Sequence, residues 1–141
     1  MVQAGCALCE GDGGRLVVRA AQWRLVHADE PGFPGFYRLV WNAHIAEWSD
    51  LPRGDRIACM DAVAVVESCV RQHLAPAKVN LAALGNMVPH LHWHVIARYP
   101  WDSRFPAPVW APPVREAAPA QLSSIEARLP ALEHELRERL V

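Results

Sequence analysis

Apolar and polar positions alternate with a period of two along Pro89-His90-Leu91-His92-Trp93-His94-Val95-Ile96. On a strand, successive side chains point to opposite faces, so His90, His92 and His94 share one face while Leu91, Trp93 and Val95 share the other; a helix would scatter them. The β-branched and aromatic residues favour extended backbone, with Pro89 at the strand's first position. Two further apolar runs, Arg15–Arg19 and Trp23–His27, are separated by Ala20-Ala21-Gln22 and predict a hairpin. A loop rich in proline and glycine follows over residues 29–35. Phe36–Trp41 is apolar enough to be a central strand. The period then changes. Cys59, Val63, Val66, Val70 and Leu74 recur at spacings of three and four, with Asp61, Ser68 and Gln72 opposite, which predicts one long helix to about Leu74. Asp50 or Asp55 would cap its start, with Pro52 in the first turn, and His73 would complement the negative end of its dipole. Lys78–Leu81 predicts another strand, leading into a loop at Gly85 and Asn86. Residues 101–113 carry too many prolines for regular structure. Leu122, Ile125, Leu129, Leu132, Leu136 and Leu140 form the stripe of a C-terminal helix that Pro130 should kink or split, docked on the domain or on a second copy, with His134 on the solvated side.

The elements sum to an α+β fold, and 141 residues suit one domain with a real core. The formal net charge of −1 offers no basic field for a nucleic-acid polymer, so a small phosphorylated ligand would be held by local groups. No apolar run reaches the roughly 20 residues of a membrane helix, and Met1-Val2-Gln3-Ala4 lacks the basic and apolar parts of a secretion signal. A cytoplasmic location is expected. Four cysteines are too few for a disulfide scaffold. Cys59 and Cys69 fall in the helical pattern as small buried hydrophobes.

Three readings of the histidine row compete. Imidazoles in the core need partners for their ring nitrogens, which packing alone explains poorly. A metal site is the second reading, but the outer two residues lie roughly 13 Å apart along a strand, too far to share one ion without bending. The third is nucleophilic catalysis on phosphorus, with one imidazole attacking and its neighbours holding oxygens. Cys6-Ala7-Leu8-Cys9 is by itself only half of a structural zinc site, which wants four ligands.

His90-Leu91-His92-Trp93-His94-Val95-Ile96 resembles throughout the signature of the histidine triad family of nucleotide hydrolases and transferases. Gly85-Asn86-Met87-Val88 resembles the family's Gly-Gln-Ser/Thr-Val loop, Tyr37-Arg38-Leu39-Val40 with His44 resembles its central strand and following turn, and Cys6-Ala7-Leu8-Cys9 resembles the two-cysteine opening of many members. The resemblance covers roughly residues 4–100, with a proline-rich crossing segment at 101–118 and the C-terminal helix at 119–141. It implies an antiparallel sheet of about five strands with one long helix and a C-terminal helical segment, assembled as a homodimer.

The resemblance also implies roles. His92 would attack the α-phosphorus of a nucleotide ester, anhydride or amidate, such as a diadenosine polyphosphate or nucleoside phosphoramidate, and water would cleave the resulting phosphohistidine. His94 would donate to a phosphoryl oxygen or the departing group. Asn80, Asn86 and the loop at Met87 would bind phosphate. No organic cofactor is implied. Zinc-bearing members take two further ligands at the positions of His44 and His90, giving a structural site of Cys6, Cys9, His44 and His90; the alternative is a thiol pair without metal, with His90 orienting the nucleophile. Two residues depart from the pattern. Phe36 stands where several branches have histidine, and Met87 replaces a hydroxyl that helps the leaving group in some members, whereas a thioether has no proton to give. These departures sustain a rival reading: a non-catalytic nucleotide sensor with a structural zinc.

Overall fold

A computed structural model describes residues 1–141. A short helix α1 (Ala7–Glu10) precedes the hairpin β1 (Arg15–Arg19) and β2 (Trp23–His27), followed by β3 (Phe36–Trp41), a 3₁₀ turn (Trp48–Asp50), the 22-residue α2 (Arg53–Leu74), β4 (Lys78–Ala82), β5 (His92–Arg98), α3 (Pro119–Glu126) and α4 (Leu129–Arg139). The five strands form one antiparallel sheet in the order β1-β2-β3-β5-β4, with β3 at its centre. This is the α+β architecture expected.

Alternation sorts the side chains into two layers. Leu25, Tyr37, Leu39, Trp41, Leu91, Val95 and Ala97 face α2 and α4 and build the main core with Val63, Val66, Val70, Leu132 and Leu136. The other face carries two small apolar clusters, one around Val26 and Val40 with Cys6 and Leu8, the other around Phe36 and Ile96 with Phe33 and Val109. Between them runs the polar strip that forms the site.

The boundaries differ from expectation in two places. β5 begins at His92, and Pro89 to Leu91 form an irregular approach whose amides bond elsewhere: Leu91 N–H donates to Ile45 O at 2.7 Å, and Leu91 O accepts from Trp41 N–H at 3.1 Å. Neither Asp50 nor Asp55 caps α2; Asp50 ends the 3₁₀ turn, Pro52 holds the N-cap position and Asp55 lies within the first turn, where its charge still suits the helix dipole. As expected, Pro130 splits the C-terminal helix, sitting at the start of α4, where its missing N–H costs nothing. His73 does occupy the last turn of α2, and its ring also meets Glu135 of α4 at 3.2 Å. Cys59 and Cys69 are buried as anticipated, but the Cys69 thiol donates to Glu135 at 3.0 Å.

Candidate active site

β3 and β5 are neighbours with Arg38 paired to His94 and Val40 paired to His92. Their shared face floors a cavity of about 630 Å³, walled by the α1 region at Ala7 and Leu8, the loop Leu84–Val88 and Trp110. That size suits a small organic ligand, for which roughly 300–1,000 Å³ is typical. His92 and His94 both line it, their rings 4.9 Å apart.

The nitrogens of His92 are distinguishable. Nδ1 stands 2.6 Å from the backbone oxygen of His90. A carbonyl can only accept, so Nδ1 carries the proton and Nε2 keeps its lone pair. Burial lowers the pKa of His92 from its ordinary value, and Arg38 pushes the same way, against the bond to His90 O. The ring is therefore neutral at pH 7 with an available nucleophilic nitrogen. His94 is more strongly shifted: burial, aided by the charges of His92 and Arg38, brings its pKa down to about 4. Its Nδ1 is buried without a partner, and its ring lies edge-on to Phe36 and Trp110 at 5.6 and 5.2 Å.

His90 turns away from this cavity. It is fully buried, and its Nδ1 lies 3.4 Å from the Cys6 sulfur and 3.5 Å from the Cys9 sulfur, while Cys9 is also 3.5 Å from His44 Nδ1. One donor atom from each of these four residues falls within 4.8 Å of the others. Tetrahedral bonds of about 2.3 Å to sulfur and 2.1 Å to nitrogen place such atoms roughly 3.6 Å apart, so the cluster has the dimensions of a site able to bind a metal ion. His90 Nε2 donates to Trp41 O at 2.6 Å, which fixes the tautomer that leaves Nδ1 free toward the sulfurs. The row of three imidazoles thus divides: two face the cavity, and the first faces the thiols, touching the His92 ring only through its backbone oxygen.

The HIT domain family model matches residues 14–101. This chain belongs to the HIT domain family. A histidine triad protein from Marinobacter aquaeolei is 29% identical, with 89% of this HIT chain and 92% of that one covered and a TM-score of 0.70. A histidine triad protein from Bradyrhizobium japonicum is 22% identical over the full length of both chains, with a TM-score of 0.76. A zinc-bound histidine triad family protein from Mycobacterium smegmatis is 19% identical, covering 95% of this chain and 96% of that one, with a TM-score of 0.61. Among curated proteins no significant match is found.

Other anticipated residues of this HIT protein fall unevenly. Asn86 and Met87 reach the cavity, Met87 at its rim with 92% of its surface exposed. Asn80 lies on β4 outside the cavity wall, and its Oδ1 accepts from Arg98 at 2.9 Å. Of the three aromatic residues in the proline-rich segment, only Trp110 lines the cavity; Trp101 stacks on Tyr99 at 4.6 Å, and Phe105 lies against Arg98. Arg38, absent from the residues singled out for chemistry, sits on the cavity wall. Its signal was a lone charge in the apolar run of β3, at the same parity as Phe36 and Val40.

Proposed function

We propose that this HIT protein hydrolyses a nucleotide ester, anhydride or amidate, of the diadenosine polyphosphate or nucleoside phosphoramidate type, through a covalent nucleotidyl-His92 intermediate. The observation that carries the reading is the 2.6 Å bond from His92 Nδ1 to His90 O, which leaves Nε2 unprotonated and held in place beside a ligand-sized cavity. A fixed tautomer is what a nucleophilic imidazole requires. Nε2 attacks the α-phosphorus, the leaving group departs with the electron pair of its bond to phosphorus, and water then cleaves the N–P bond. Neutral His94 donates to a phosphoryl oxygen or the leaving group, and Asn86 with the amides of its loop stabilises charge on the equatorial oxygens. Asn80, on the same face of the sheet as His92 and His94, is tied to Arg98 rather than free to meet phosphate.

Cys6, Cys9, His44 and His90 would hold a structural zinc, which when bound cross-links the N-terminus to the sheet; the zinc-bound relative supports this assignment. We also read the protein as a cytoplasmic homodimer whose partner ligand is a nucleotide rather than a polymer. β4 is a sheet edge on which Leu81 remains 46% exposed, and Leu84 just beyond it 53%, a surface suited to a second copy.

The rival reading, a nucleotide sensor without turnover, draws on Met87, which has no proton to give. Incubation with diadenosine triphosphate labelled at the α-phosphorus separates the two. The hydrolase leaves an acid-labile label on wild-type protein and none on His92→Ala, which should bind nucleotide yet lose at least ~10³-fold in turnover. Binding without label in the wild type would establish the sensor instead.

A further inference from the structure

Of the side chains lining the cavity, Arg38 alone carries a fixed charge. It faces His94 across the β3–β5 pairing, is half-buried, and takes part in none of the molecule's ion pairs. Its one hydrogen bond runs from Nη1 to the carbonyl of Gly13 at 3.0 Å. Gly13 sits in a bend with φ of +92°, a conformation that residues with a side chain rarely adopt, so glycine favours the backbone that presents that carbonyl. Beneath the guanidinium, 5.3 Å from its central carbon, lies the ring of Phe36. The side chain is held from two sides while most of its five N–H donors stay unpaired. A partly desolvated cation with no carboxylate in contact is costly, Glu30 offsetting only part of the burial, and a planar guanidinium matches two phosphoryl oxygens at once.

Met87 bears on which phosphorus compound fits. An amine departs poorly without a proton, and with a thioether at position 87 only His94 is left to supply one; a phosphate departs as an anion and needs positive charge instead. We propose that Arg38 is a specificity-determining, anion-binding residue that grips the phosphate leaving the phosphorus attacked by His92, so that the site takes nucleotide anhydrides in preference to nucleotide amidates. This rests on the hydrolase reading above. The lone pair of His92 Nε2 forms the N–P bond. The bond from phosphorus to the bridging oxygen breaks with its electron pair going to that oxygen, which leaves on a nucleoside phosphate anion held by Arg38. Water adds to phosphorus, the N–P pair returns to Nε2, and the proton released passes to solvent.

The test compares kcat/KM for diadenosine triphosphate and for adenosine 5′-monophosphoramidate in wild-type protein, Arg38→Met and Arg38→Lys, each first checked for an unchanged unfolding midpoint. Wild type should favour the anhydride. Arg38→Met should lose ~10²-fold or more on it and at least ~10-fold less than that on the amidate, with Arg38→Lys between wild type and Arg38→Met. Equal losses on both substrates, an undiminished anhydride rate, or a wild type that prefers the amidate would overturn the assignment. Should wild type label His92 with neither compound, the hydrolase reading fails by itself, and calorimetric titration decides on Arg38. Adenosine diphosphate binding more tightly than adenosine, with that preference abolished in Arg38→Met, supports the anion role; a preference retained in the variant refutes it. Arg38→Lys serves for both measurements if the methionine variant unfolds.

Discussion

His94 shows how one side chain's surroundings set its protonation. Phe36 and Trp110 cover it edge-on, His92 and Arg38 add positive charge nearby, and its pKa falls to about 4. Such a ring is neutral throughout the physiological range, so it can pass a proton but does not add a cation to the cavity. A group with a lowered folded pKa loses its neutral form only as pH falls through that value. Both cavity imidazoles have lowered pKa values, so the acid limb of the rate profile should fall below the ordinary histidine value of about 6.5; a limb at or above that value would contradict this environment. Measuring kcat/KM against pH decides it. Phe36 acts at the same scale. A histidine there would bring ring nitrogens needing partners, whereas the phenyl ring offers an edge to His94 and a face to Arg38.

At the scale of elements, two buried carboxylates pin the C-terminal half to the sheet. Glu133 of α4 accepts two bonds from Arg15 of β1 at 2.8 and 2.9 Å and one from the Tyr37 hydroxyl of β3 at 2.8 Å. Burial by itself would raise its pKa, but the bonds from Arg15 and Tyr37 prevail and hold it below the ordinary value. A depressed carboxylate contributes stability that is present above the unfolded pKa of about 4.3 and lost as pH falls through the folded one. Glu133→Gln should accordingly cost about 1–3 kcal/mol at pH 7 by urea denaturation, with the difference from wild type shrinking below pH 4. Asp102 organises the proline-rich segment. It pairs with Arg98 at 2.9 and 3.1 Å and accepts from the amides of Tyr99, Arg104 and Phe105 at 3.1, 3.0 and 2.7 Å. Arg98, otherwise sealed in the interior, depends on this carboxylate, and breaking a buried pair costs about 3–5 kcal/mol. Asp102→Ala should destabilise by that order in denaturant and raise KM, because the segment it orders carries Trp110 to the cavity.

For the whole molecule, the metal cluster joins the N-terminal arm, the turn after β3 and the approach to β5, with residue separations of 35, 81 and 84 in its sulfur–nitrogen contacts. A bound ion should add stability by linkage, since the unfolded chain does not hold the four donors together. Purified protein is expected to contain about one zinc per chain, and removal by chelation should lower the unfolding temperature by about 5 °C or more. Metal-free protein whose unfolding temperature does not respond to zinc would show that the cluster is only a thiol and imidazole contact. The amino-acid order by itself determined the strands of the hairpin, the central β3, the extent of α2, the two layers of the sheet and the family, because these follow from local periodicity and from one contiguous motif. Tertiary structure alone decided which way the imidazoles divide, that Arg98 occupies Asn80, that Trp110 rather than its neighbours reaches the cavity and that Arg38 stands unpaired beside His94. Each of those outcomes depends on a pairing between strands or on loops closing from distant parts of the chain, and no period of two or of 3.6 residues carries that information.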